Sequence, residues 1–186
     1  FVSMLLAVCF VLGGVLVGGA IGYITISTPV TDEQLSLESD ATIIYDLNGN
    51  VIAELNSTDN KNIIPVDFED TPKYLRDAIV AIEDQRFYKH QGVDIKRTAG
   101  AILELFFGDG GYGGSTITQQ LVKNVTGDNS NSISRKIREI WRALQLEQRF
   151  DKDEILEYYM NIIFMGHGCY GVQAASLAYF DKDVST

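Results

Sequence analysis

Residues 1–26 contain no Asp, Glu, Lys or Arg. That run constrains the chain more than any other feature, because so long an uncharged stretch cannot form the wetted face of a globular domain. Its Leu, Val, Ile, Ala and Gly are enough to cross a ~30 Å hydrocarbon core as one helix. A secretory signal peptide has a shorter apolar region and ends at a small-residue cleavage site. This run is too long, and Gly22-Tyr23-Ile24-Thr25 is a poor cleavage site. The expected organisation is an uncleaved transmembrane anchor at 1–26, a polar linker at 27–40 and a water-facing domain at 41–186. The chain opens on Phe1, so a preceding cytoplasmic tail is expected. The acidic flank Thr31-Asp32-Glu33 fits the outer side of the membrane.

The net charge of −10 is unevenly spread. Residues 1–70 carry −9, residues 71–150 carry +3 and residues 151–186 carry −4. A locally basic middle in an acidic chain suits an anionic ligand. No dense basic run exists, so nucleic acid is not an expected partner. Cys9 lies in the apolar run and Cys169 near the other end, a poor basis for a disulfide. His90 and His167 have no metal-ligand spacing.

Ala41–Asp46 and Val51–Leu55 alternate around Leu47-Asn48-Gly49-Asn50. Asn-Gly between two β-prone runs predicts a hairpin. From Thr71 onward the pattern is helical. Thr71-Pro72 reads as a cap with proline at the first helical position, opening a helix to about Phe87. A second apolar segment spans Thr98–Phe107, followed by the glycine-rich run 108–114. Those glycines predict a loop. Ser115 or Thr116 caps the next helix, Ser132 or Ser134 the one after it, and Asp151 with Glu154 forms a capping box for the last long one.

Three clusters carry chemistry. On the first helix Leu75, Ile79, Glu83 and Phe87 are spaced by four and so share a face. Glu83 interrupts an apolar row, where poor solvation favours its neutral form and makes it a proton acceptor. The alternative is a helix-end acid paired with Arg86. The second cluster is Gly113 to Asn124. Glycines before a hydroxyl-capped helix start make an anion-friendly site, with Gln119 and Lys123 one turn apart. The Gly-Lys-Ser/Thr ending of a nucleotide loop is missing. A flexible surface loop before a capped helix is the alternative here. The third is Arg135-Lys136 with Glu139. Two bases in a first helical turn oppose the dipole, which suggests an anion or, alternatively, a surface pair between Arg135 and Glu139. Such a pair contributes only ~0.3–0.5 kcal/mol.

These stretches resemble glycosyltransferase family 51, the peptidoglycan glycosyltransferases of bacterial penicillin-binding proteins, class A or monofunctional. Glu83 to Gly92 looks like the family's first motif, with Asp84, Phe87 and His90 inside it. Gly114 to Asn124 resembles the second, Arg135-Lys136 with Glu139 the third, Lys152 to Asn161 the fourth, and Gly168 to Ala175 through Tyr179-Phe180 the fifth. The resemblance covers roughly residues 43–182. It implies a mainly α, lysozyme-like domain with a small N-terminal β-hairpin, preceded by one transmembrane helix. The catalytic domain would stand on the extracytoplasmic side of the cell membrane.

The resemblance also implies an activity, the polymerisation of lipid II into glycan strands. An acceptor 4-hydroxyl attacks C1 of the growing strand, configuration inverts, and polyprenyl pyrophosphate leaves. By motif, Glu83 is the general base. Lys123, Arg135 and Lys136 neutralise the leaving pyrophosphate. Glu139, the second acid, orients those cations or a divalent ion such as Mg2+ or Mn2+, although no cofactor is required. Ser115, Thr116, Gln119, Gln120 and Asn124 line the substrate cleft. Asp84, Phe87, His90, Gly92, Glu157 and Asn161 support it, with His90 pinning the turn after Glu83. Leu103–Phe107 either dips into the headgroup region near a lipid-tailed substrate or closes the core, and the glycine loop is a candidate lid.

Two departures from the family pattern stand out. Asp181 takes the place of a usual glycine, and Phe164-Met165 replaces Tyr-Phe. The family domain continues with further helices, and many members then carry a transpeptidase domain, so truncation at both ends is expected. No Ser-x-x-Lys signature of that second activity occurs in these residues. Expected partners are lipid II, the glycan strand, the cytoplasmic membrane and cell-wall synthesis machinery. The rival readings are a lysozyme-like glycan hydrolase and a non-catalytic wall-binding scaffold.

Overall fold

In the computed structural model the described residues are 28–36, 42–55, 62–98, 100, 113–128, 130 and 132–186. Met4, Phe10, Val11 and five glycines of the first run complete the set. Most of the apolar run 1–26, the segment Leu103–Phe107 and the glycines at 108, 110 and 111 lie outside them. Among the described residues no helix is long and apolar enough to cross a membrane. Met4, Phe10 and Val11 are helical and exposed.

The described chain is mainly helical. In order it contains α1 (Asp32–Leu35), β1 (Thr42–Tyr45), β2 (Val51–Leu55), β3 (Asn62–Ile63), α2 (Lys73–Glu83), a 3-10 turn (Phe87–Lys89), α3 (Ile117–Thr126), α4 (Ile133–Arg149), α5 (Lys152–Ile162), β4 (Cys169–Tyr170) and α6 (Val172–Phe180). Helix α3 is the hub, packed against both α4 and α5. Its buried Ile117, Leu121 and Val122 meet Ala143 and Leu146 of α4 and Ile155, Leu156, Tyr159 and Met160 of α5 in one core with Phe87.

The expected hairpin forms, β1 pairing antiparallel with β2 and Thr42 opposite Leu55. The Asp46 carboxylate closes it, accepting from Asn48 N at 2.7 Å and Asn50 N at 2.8 Å. A second, parallel pair joins β3 to β4, and no local sequence signal points to it.

Two expected elements change shape. Helix α2 ends at Glu83 rather than near Phe87. The Asp84 backbone leaves the helical region (φ −159°, ψ 78°), so Phe87 drops into the core from a separate turn. The start also shifts by one, Pro72 standing at the cap. Residues 28–36, read as part of a polar linker, dock on the domain. Thr31 and Gln34 form a capping box, and Val30 and Leu35 are buried in the core. Arg149 of α4 donates to Val30 O at 2.5 Å, and Arg142 donates to Thr28 O at 2.9 Å.

Candidate active site

Glu83 is the last residue of α2 and is half-buried. Arg86 does not pair with it. That guanidinium grips Asp94 with two hydrogen bonds, Nε at 2.6 Å from Oδ2. The bonds from Arg86 hold the Asp94 carboxyl down at about 2. Glu83 instead accepts a hydrogen bond on Oε2 from Gln120 Nε2 of α3 at 2.8 Å. Arg97 donates to the Glu83 backbone carbonyl and, through Nε, to Gly113 O at 2.7 Å. It thus ties the end of α2 to the start of the second motif.

The rest of the first motif holds α3 in place. Asp84 is fully buried, and its Oδ2 accepts from Ile117 N at 3.2 Å, an anion on the positive end of a helix. His90 Nε2 meets the same oxygen at 2.8 Å. That contact ties His90 to the turn that follows α2. Gly92 has φ +79°, and a Cβ there would stand 2.8 Å from Ala143 O of α4. Its carbonyl accepts from Thr116 Oγ1 at 2.7 Å. Thr116 rather than Ser115 caps α3, because only Thr116 has Gln119 at the third helical position to complete a capping box.

Gln119 and Thr116 are thus buried and spent on the cap. Gln120 and Asn124 are half-buried, and Lys123 is exposed. In the third motif Ser132 caps α4 by accepting from Arg135 N at 3.1 Å. Glu139 is buried and takes Arg135 Nη1 on Oε2 and Lys136 Nζ on Oε1. Lys136 Nζ also donates to Ser115 Oγ at 2.9 Å, linking the third motif to the second. Lys123, Arg135 and Glu139 share a narrow cleft with Asp128 and Arg142. Glu83 is not one of its walls and reaches α3 through Gln120.

Both Glu139 oxygens are occupied by cations, and among the described residues no group of three His, Cys, Asp or Glu gathers to hold a metal. Among the described residues, the set beside Glu139 does not fit a resident divalent ion.

The fourth-motif residues serve another segment. Asn161 brackets Val66, accepting from its N and donating to its O at 2.9 Å each. Glu157 accepts from Phe68 N at 2.8 Å, and burial pushes its carboxyl up despite that bond. A larger cleft of about 460 Å3 beside Glu157 is lined by Glu69, Asp151, Asp153 and Glu154 as well as Arg76. Its acids repel a diphosphate.

Several residues that matter here escaped the sequence reading. They are Asp94, Arg97, Arg142 and Tyr159. Arg97, Arg142 and Tyr159 act through partners distant in sequence, and Asp94 through Arg86 eight residues back, so no helical or strand spacing announces them.

Residues 48–186 match the family described as Transglycosylase. The chain belongs to that family. Among curated proteins it is similar to "Penicillin-binding protein 1A" of Clostridium botulinum, 41% identical over 181 residues. That match covers 94% of this chain and 22% of the relative. "Penicillin-binding protein 1F" of Bacillus subtilis is 42% identical over 168 residues, 88% of this chain and 23% of the relative. "Penicillin-binding protein 1A" of Streptococcus pneumoniae is 39% identical over 188 residues, all of this chain and 25% of the relative. The chain therefore spans about a quarter of the length of these relatives.

Proposed function

We infer that this chain is the peptidoglycan glycosyltransferase part of a penicillin-binding protein and that it polymerises lipid II in bacterial cell-wall synthesis. One observation carries the reading. The Glu83 carboxylate is held on Gln120 of the same helix that presents Lys123, one turn further on, to the cleft of Arg135 and Glu139. One helix thus spans a proton acceptor and a cation group.

The motif resemblance implies the step, and that layout supports it. Glu83 removes the proton from the acceptor sugar's 4-hydroxyl as its oxygen bonds to C1 of the donor strand. The bond from C1 to the pyrophosphate oxygen breaks, and the electron pair leaves with the lipid pyrophosphate. Attack opposite the leaving group inverts C1. Lys123 and Arg135 neutralise the departing charge, with Lys136 beside them on Glu139. That cleft is narrow, which supports a diphosphate bound at its mouth rather than inside it. Glu139 acts as the fixed counter-ion that aims Arg135 and Lys136.

We further infer a lysozyme-like lobe, an anchor helix at 1–26 and a catalytic domain facing outward from the cell membrane. That reading rests on the motif resemblance, the uncharged apolar run and the exposed helical Phe10 and Val11. A transpeptidase domain elsewhere in the full-length protein belongs to the same reading. The test is product analysis. Full-length protein is incubated with labelled lipid II and, separately, with preformed glycan. Glycan strands made from lipid II support the reading. Cleavage of preformed glycan instead marks a hydrolase, and inertness toward both marks a scaffold.

A further inference from the structure

Glu83 has one side-chain hydrogen-bond donor among the described residues, the Gln120 amide, and that amide is itself gripped from behind. Tyr159 of α5 is fully buried in the core, and its hydroxyl reaches Gln120 Oε1 at 3.2 Å. We propose that Tyr159 is a positioning residue for the transferase step, fixing the Gln120 amide and through it the Glu83 carboxylate.

The amide's orientation follows from donor and acceptor inventory. A carboxylate only accepts, so Gln120 must turn its NH2 toward Glu83 and its carbonyl toward Tyr159. The Tyr159 hydroxyl must then donate, which requires it to stay protonated. Burial pushes the Tyr159 phenol above its ordinary value, and the nearby Glu83 charge pushes it the same way. The chain Tyr159 → Gln120 → Glu83 therefore has a single direction. A flip of the amide would set two acceptors against each other at Glu83.

Rigidity differs along this chain. Glu83 ends its helix and is half-exposed, so its side chain has freedom to lose. Gln120 is also half-buried, whereas Tyr159 is locked among core side chains. The core thus hands its order outward through two hydrogen bonds. One carboxylate oxygen, Oε2, is taken by Gln120, and among the described residues Oε1 accepts no side-chain donor. Oε1 is the oxygen left to take the acceptor proton. A proton acceptor must sit within hydrogen-bond reach of the proton it abstracts, and small misplacements are costly in rate.

This inference rests on Glu83 acting as the general base. Its test uses full-length protein and steady-state kinetics with lipid II for Tyr159→Phe, Gln120→Leu and the double variant. Tyr159→Phe keeps the ring in the core and removes only the hydroxyl. Expected is a fall in kcat of about tenfold, the rate equivalent of one ordinary hydrogen bond. The KM should stay within about twofold of wild type, since this residue is not expected to touch substrate. In the Gln120→Leu background the same substitution should have no further effect on kcat, because its relay is gone. Wild-type kcat in Tyr159→Phe overturns the proposal. So does an equal loss in both backgrounds, or a loss of kcat and melting temperature together with a raised KM. Glu83→Gln runs alongside. If that variant is fully active the base assignment itself has failed, whereas an inactive Glu83→Gln with an unaffected Tyr159→Phe refutes only the present inference.

Discussion

Replacing Glu139 by Gln keeps the shape of the side chain and removes its charge. The carboxylate is buried with a side-chain exposure of 4%, against 18% for Arg135 and 35% for Lys136. Both of its oxygens are engaged by cations near the start of α4, where the helix dipole already opposes positive charge. Two hydrogen bonds to a charged acceptor contribute ~1.5–3 kcal/mol each. Removing one partner of a fully buried ion pair costs about 3–5 kcal/mol. Lys136 is partly solvated and a glutamine can still accept one bond, so the expected loss is about 2–3 kcal/mol. Urea unfolding with linear extrapolation measures it. The substitution also leaves the Lys123 cleft more positive, so inorganic pyrophosphate should bind at least as well as to wild type. Turnover should nevertheless fall, because Arg135 and Lys136 are no longer aimed. A stability change under about 0.5 kcal/mol, the range of an ordinary surface substitution, would refute the claim that this acid organises the cation group. So would unchanged turnover.

Two further outcomes follow from the same geometry. The Asp94 carboxyl is held at about 2, below the ordinary 3.8, chiefly by its bonds from Arg86. A depressed carboxylate contributes stability above its unfolded value and loses it as pH falls through the folded one. Asp94→Asn should therefore be less stable than wild type at neutral pH, with the gap closing between pH 3.8 and about 2. A pH series of urea midpoints reads this, and a constant gap across that window would contradict it. Asp181 closes α6 in the left-handed region (φ 53°, ψ 39°), a backbone conformation that favours glycine. Asp181→Gly should stabilise the fold by about 0.5–1 kcal/mol, seen as a higher urea midpoint, and a destabilised variant would be the contrary result.

Local signals in the sequence located the helices well, because caps and turns are written in neighbouring residues. Asp151 with Glu154, the Ser132 cap and the Asn48-Gly49 hairpin all appear where short-range chemistry puts them. Periodicity misjudged the end of α2. The i+4 row from Leu75 to Phe87 looks continuous, but Asp84 breaks it to place its carboxylate on the first turn of α3. Long-range relations left no trace. Nothing local says that Tyr159 reaches Gln120, that Arg86 chooses Asp94 over Glu83, or that Val30 and Leu35 sink into the core. The cation cluster lay in between. Its residues were legible by motif, while their convergence on Glu139 and Ser115 required the packing of α3 against α4.

We propose that Glu83 takes the acceptor proton. The most direct measurement is the initial rate of strand elongation by full-length Glu83→Gln protein at saturating lipid II. General-base catalysis contributes about 10²–10⁴ in rate, so the variant should lose at least about a hundredfold while still binding substrate. A variant that elongates strands within about threefold of wild type would contradict the account, since one hydrogen bond's worth of rate already exceeds that.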